Sequence, residues 1–189
     1  MSLTESVRHA ALQVASIIST SGFATTDFNL WPNLSKTVLL SLMFVGACAG
    51  STGGGIKISR LVILLKSAAA EIGHMVRPRQ VKKIVFEKKA VDGDTIHGAY
   101  AFIVAYVFIF FASFLLISAF DGQTIETSFS AVATCINNIG PGFGAVGPAS
   151  SFNFMSDASK LILSLDMLLG RLEIFPILLL FSPSVWFEK

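Results

Sequence analysis

The octapeptide Asn137-Asn138-Ile139-Gly140-Pro141-Gly142-Phe143-Gly144 decides the reading of this chain, because it has a counterpart in Ser19-Thr20-Ser21-Gly22-Phe23-Ala24-Thr25. Each follows a run with helical apolar spacing, Thr124 to Ile136 in one case and Ser6 to Ile18 in the other. At about 1.5 Å per residue neither run reaches the roughly 30 Å of a bilayer core. At an offset of 118, Val14 pairs with Val132, Ala15 with Ala133, Ile18 with Ile136 and Gly22 with Gly140. Beyond the glycines, six extra residues in the second copy move the offset to 124; Ser35-Lys36 then pairs with Ser159-Lys160, Leu39 with Leu163, Met43 with Met167 and Gly46 with Gly170. Two registers that agree in order point to an internal duplication.

The composition says where such a duplication sits. Of 189 residues 53% are hydrophobic and 14% charged, and the mean hydropathy is +0.70. Soluble chains carry about 25% charged residues, so this chain reads as an all-α membrane protein. With 17 Phe residues and a net charge of +2 it is not a disordered segment, a nucleic-acid-binding module or a secreted disulfide scaffold. Cys48 and Cys135 show no metal-ligand spacing and read as buried, unpaired thiols.

Ala99 to Phe120 is an uncharged stretch long enough to cross the membrane as a helix. Thr37 to Leu65 is equally apolar but is interrupted by Gly46-Ala47-Cys48-Ala49-Gly50-Ser51-Thr52-Gly53-Gly54-Gly55, and reads as a discontinuous helix. Leu161 to Phe187 carries Asp166, Arg171 and Glu173, so it must face protein or water. Between the first two crossings, the stretch from Lys57 to Lys89 holds most of the Lys and Arg in the chain, which predicts a cytoplasmic connection. Arg77-Pro78-Arg79 predicts a helix break within it, and Val91-Asp92-Gly93-Asp94 a turn before the next crossing. Such a loop can also meet anionic membrane lipid or a cytosolic partner. The amino-terminal stretch, amphipathic with Glu5, Arg8 and His9, does not read as a cleavable signal peptide.

Half-helices that enter a membrane and return through non-helical backbone are tolerated where that backbone lines a watery path or is buried in protein. The negative end of each short helix then favours a cation, and the residues after it can offer carbonyl oxygens in place of hydration water. Gly22 and Gly140 would supply the backbone angles that turn neighbouring carbonyls inward. The alternative at each is an ordinary glycine turn at an aqueous face.

These stretches resemble the carboxy-terminal half of the Trk-type potassium uptake proteins, in the superfamily that includes the Ktr and plant HKT transporters. The resemblance rests on Ser16 to Phe23 as a third filter loop, Asn137 to Gly142 as a fourth, Gly50 to Lys57 as the interrupted helix, and Gly170-Arg171-Leu172-Glu173 in the last helix. It implies repeated helix–pore-loop–helix units of a potassium-channel-like transporter, here about one and a half of them. Residues 1–65 would be a third unit lacking its first helix, 66–98 the basic cytoplasmic connection, and 99–189 the fourth unit. It implies a potassium ion held at Thr20, Ser21 and Gly22 and at Asn138, Ile139 and Gly140. It further implies a gate at Gly50, Ser51, Thr52, Gly53, Gly54 and Gly55, together with Arg171. The family has four units, so the chain reads as a fragment of a longer subunit whose amino-terminal half is missing, the alternative being that two or more chains assemble the ring. A homodimer, a cytosolic nucleotide-binding regulatory subunit and the bacterial inner membrane are likewise implied.

Competing motifs fail on spacing. A phosphate-binding loop needs Lys directly after its last Gly, and Ile56 intervenes before Lys57; a nucleophile elbow needs Gly where Ala49 stands. The chain thus reads as a gated pore with no covalent chemistry and no organic cofactor. Tight helix packing through small residues is the other use for the Gly50 to Gly55 stretch. Arg171 either pairs with Asp166 or Glu173 or projects into the ion path; the resemblance favours the second. The rival reading from another class is a non-conducting membrane scaffold whose basic loop recruits a cytosolic partner, which would have no use for paired glycines at the ends of half-helices.

Overall fold

The computed structural model describes residues 3–46, 48, 51, 53–77, 84–86 and 89–172. The helices are α1 (Leu3–Ile18), α2 (Asn33–Phe44), α3 (Ile58–Val76), α4 (Gly93–Asp121), α5 (Ile125–Ile136) and α6 (Asp157–Arg171). Two-residue strands β1 (Val85–Phe86) and β2 (Lys89–Ala90) pair antiparallel, Val85 opposite Ala90 and Phe86 opposite Lys89, in the basic connection. The all-α membrane class holds, with this small hairpin as its one addition among the described residues.

Local chemistry sets the boundaries. Asp92 caps α4, its carboxylate accepting from Gly93 N at 2.9 Å, so the expected turn at 91–94 closes after Asp92 and the helix begins at Gly93. Left-handed Gly122 ends α4 after 29 residues, about 44 Å of helix. Thr124 Oγ1 accepts from Thr127 N at 3.3 Å at the start of α5, and Ser156 Oγ accepts from Ser159 N at 3.3 Å at the start of α6. Thr124 is thus a cap outside the helix it was expected to open. Helix α3 passes Leu65 and ends at Val76, before Arg77; Pro78 and Arg79 lie outside the described residues.

Helix α5, at 12 residues, and α1, at 16, are about 18 and 24 Å long, too short to span. Helix α5 is the hub: Ala131 to Asn137 are buried without exception. Phe102, Tyr106, Phe110 and Ile117 of α4 pack on it from one side and Leu163 of α6 from another. Phe44 at the end of α2 meets Phe110 and Phe129 with ring centroids 5.7 and 6.2 Å apart. A second core joins the two copies, because Ile139 and Phe143 of the second return loop pack with Ile17, Phe28, Leu39 and Met43 of the first. On the far side of α4, Val104, Phe108, Phe111 and Leu115 form an exposed apolar stripe at helical spacing, the surface a bilayer covers.

One expectation changes. Cys48 is exposed while Cys135 is buried; α2 ends at Phe44, so the apolar surroundings of Cys48 in sequence are not a helix face turned to the core. Met43 is buried and its repeat partner Met167 is 42% exposed, although Leu39 and Leu163 are both buried.

Candidate functional site

The two return loops fold alike. In the first, Thr20 N donates to Ile17 O at 3.1 Å and Ser21 N to Ser16 O at 3.0 Å; in the second, Asn138 N donates to Cys135 O at 3.0 Å and Ile139 N to Thr134 O at 2.9 Å. This is the paired-bond ending of a helix whose next residue turns left-handed. Thr20 and Asn138 are those residues, at φ 55° and 56°, and two positions on stand Gly22 at φ 74° and Gly140 at φ 110°. Every member of one set lies 118 residues from its counterpart, the offset of the sequence repeat.

Further bonds hold the second loop against its half-helix. Ser130 Oγ accepts from Phe143 N at 2.9 Å and donates to Phe143 O at 3.0 Å, and one turn on Thr134 Oγ1 donates to Pro141 O at 3.2 Å. Between these anchors the chain is left with spare acceptors. Among the described residues, the carbonyls of Ser19, Thr20, Ser21 and Gly22 and of Asn137, Asn138, Ile139 and Gly140 accept no hydrogen bond from the protein. Asn137 and Ile139 are buried, where carbonyls are normally paired, and the other six are half-buried or exposed; both runs lie at the negative ends of helices, where a cation is favoured.

The loops also touch each other. A Cβ on Gly22 would fall on the Ile139 carbonyl oxygen, so only hydrogen fits there. Asn29, beside the first loop, accepts from Gly144 N at 3.0 Å through Oδ1 and donates to Gly144 O at 3.1 Å through Nδ2, clasping the copies together. Phe28 and Phe143 meet edge to face at 5.2 Å nearby. Of the six filter candidates, Ile139 is buried, Thr20, Gly22 and Asn138 are half-buried, and Ser21 and Gly140 are exposed.

The broken helix runs beneath the second loop. Between α2 and α3 the described residues from Val45 to Lys57 are not helical, and Gly54 and Gly55 are buried. A Cβ on Gly54 would lie 2.7 Å from Asn138 Nδ2 and 2.9 Å from Asn137 O, and one on Gly55 would collide with Asn137 Oδ1. Ser51 and Gly53 are half-buried; Gly50 and Thr52 lie outside the described residues. Gly54 and Gly55 are therefore in contact with the second return loop.

Arg171, the last residue of α6, is exposed, while its neighbour Gly170 packs on Ile136 O. It does not pair with Asp166: Asp166 Oδ1 accepts from Ser113 Oγ at 2.8 Å, and Oδ2 has no hydrogen-bond partner. Asp166 is 2% exposed and turned to α4, which meets the expectation that it faces protein. Glu173, the other suggested partner, lies outside the described residues.

Sequence reasoning missed the parts that position the loops. Ser130 and Thr134 left a signal, since two hydroxyls one turn apart on an otherwise apolar helix mark a face with polar work to do. Asn29 and the bond from the Tyr106 hydroxyl to Asn137 Oδ1, 3.0 Å, left none, because their partners are 115 and 31 residues away.

A family model described as "Cation transport protein" (TrkH) matches residues 1–189. The Trk system potassium uptake protein TrkH of Escherichia coli strain K12 is 38% identical over 182 residues, covering 96% of this chain and 37% of the relative. The Trk system potassium uptake protein TrkI of Halomonas elongata is 32% identical over 185 residues, again covering 96% of this chain and 37% of the relative. The crystal structure of the potassium transporter TrkH from Vibrio parahaemolyticus matches with a TM-score of 0.87 at 38% identity, covering 98% of this chain and 39% of that one. The chain thus spans little more than a third of the length of the curated relatives it matches. With a family match over its full length and this fold, the chain belongs to the TrkH family of cation transport proteins.

Proposed function

We propose that this chain forms part of the pore of a potassium-transporting membrane protein, with Thr20 to Gly22 and Asn138 to Gly140 as two strands of a carbonyl-lined selectivity filter. The observation that carries the reading is the pair of matched return loops whose carbonyls accept no hydrogen bond from the protein. A scaffold would gain nothing from leaving the buried Asn137 and Ile139 carbonyls unpaired, at a cost on the order of 1–3 kcal/mol each. The names of the relatives, all potassium uptake proteins, support potassium as the ion.

On this reading residues 1–65 and 99–189 belong to successive pore units, joined through the connection 66–98, and the rest of a longer subunit completes the ring. Homodimerisation, a cytosolic nucleotide-binding regulator, symport coupling and the bacterial inner membrane belong to the same proposal through the family. The Gly50 to Gly55 loop acts as a gate beneath the filter, and exposed Arg171 sets a positive charge near it. At about 4 Å and an effective dielectric of about 20, two unit charges repel by roughly 4 kcal/mol, which bounds what Arg171 can do to a passing cation.

The test is potassium uptake by cells lacking other uptake systems and carrying the full-length protein. Gly140→Ser should lower the preference for potassium over sodium, and Arg171→Ala should raise resting flux. Unchanged selectivity and flux in both variants, at normal expression, would reject the pore assignment.

A further inference from the structure

One amide gathers three elements that the pore reading treats separately. Asn137, 1% exposed, caps α5; its Nδ2 donates to Ala133 O at 2.7 Å, which leaves Oδ1 as the acceptor. Tyr106, 3% exposed and in the middle of α4, donates its hydroxyl to that Oδ1 at 3.0 Å. The same Oδ1 is the atom on which Gly55 rests, and Gly54 rests on the Asn137 carbonyl. Next in sequence, Asn138 Nδ2 donates to Met167 O of α6 at 3.0 Å. The outer helix, the end of the half-helix, the loop and the inner helix therefore meet at two adjacent asparagines.

We propose that Tyr106 and Asn137 are positioning residues that seat the Gly53 to Gly55 segment beneath the return loop, the Tyr106 hydroxyl acting by fixing the Asn137 amide. This rests on the reading of that segment as a gate. The amide takes one orientation, since turning it over would set its oxygen against Ala133 O, which already accepts from Asn137 N at 3.3 Å, and its oxygen is held by the Tyr106 hydroxyl alone among the described residues. Without that hydroxyl a buried acceptor loses its partner and the amide is held at its Nδ2 end alone. The surface under Gly55 then no longer has a fixed shape. Gly55 sits at φ 76° with no room for a Cβ, so its fit depends on that surface staying where it is.

The experiment uses the full-length protein in potassium-loaded proteoliposomes, with Cys48 retained as a reporter on the interrupted segment and other exposed cysteines replaced. Two readouts are taken: resting potassium flux, and the rate at which a thiol reagent modifies Cys48. Tyr106→Phe should raise resting flux by about three- to tenfold, the factor one net buried hydrogen bond supplies, and should change the Cys48 labelling rate. Potassium over sodium selectivity should stay as in the parent. Tyr100→Phe is the control: it removes a hydroxyl from the same helix that, among the described residues, makes one exposed bond, to Ser67 Oγ, and should change neither readout. Gly55→Ala presses a methyl onto the same amide, should raise flux by itself, and should add little to Tyr106→Phe; it carries the test if Tyr106→Phe does not fold. Unchanged flux and labelling in the folded variant, or lost selectivity without a change at Cys48, would overturn the proposal. A parent protein that passes no potassium would instead overturn the pore reading beneath it.

Discussion

Replacing Gly22 with alanine tests whether the two return loops act as one surface. The methyl would be placed on the Ile139 carbonyl oxygen, and it cannot slide aside, because the Ile139 carbonyl carbon and Pro141 Cδ already stand at 3.4 Å from the Cβ position. The backbone at φ 74° adds about 1–2 kcal/mol for an L-residue, and overpacking a tight contact adds about 1–3 kcal/mol. The lower sum, about 2 kcal/mol, is a factor of about thirty in occupancy if it falls on the ion-bound state. Relief has to come from movement of the Ile139 carbonyl, so a substitution in the first loop should be felt in the second. The expected outcome is at least a tenfold loss of potassium over sodium preference in full-length protein, measured as paired uptake in proteoliposomes. Gly73→Ala serves as the comparison: Gly73 lies inside α3 with nothing within 4 Å, and alanine there should stabilise by about 0.5–1 kcal/mol without touching selectivity. If Gly22→Ala folds and retains the parent selectivity, the contact with Ile139 does not shape an ion site and the reasoning fails.

Thr20 is a β-branched residue at φ 55°, where its counterpart Asn138 has a side chain that tolerates the angle. Thr20→Asn should raise the melting temperature in detergent, by the equivalent of about 0.5–1 kcal/mol. Ser113→Ala would leave both oxygens of buried Asp166 without partners and should destabilise by about 1–3 kcal/mol; Asp166→Asn in the same background should recover part of the loss, read in the same melts. On the proposed topology the basic connection, with Val85, is cytoplasmic and Asn153 lies on the opposite side. An impermeant thiol reagent on intact cells should label a cysteine at 153 and spare one at 85, and the reverse pattern would invert the topology.

The sequence by itself determined what depends on neighbours in the chain. The uncharged crossing Ala99 to Phe120, the glycine-rich interruption Gly46 to Gly55, the two half-helices and the glycines 118 apart are written in hydropathy, period and turn chemistry. Each is a property of a few consecutive residues competing with water or lipid for backbone bonds, so a linear reading reaches it. The helix endings at Thr20 and Asn138 even share their bonding pattern, because a short helix before a glycine turn closes itself. Only the tertiary structure decided how the copies face each other. That Gly22 meets Ile139, that Asn137 holds Tyr106 and Gly55, that Asp166 turns to Ser113 rather than to Arg171, and that Cys48 is exposed are outcomes of packing between segments far apart in sequence. Glycines and asparagines carry little hydrophobic signal, and their partners are selected by shape and by the demand that buried polar atoms be paired. That demand is met or left open only once the chain has folded.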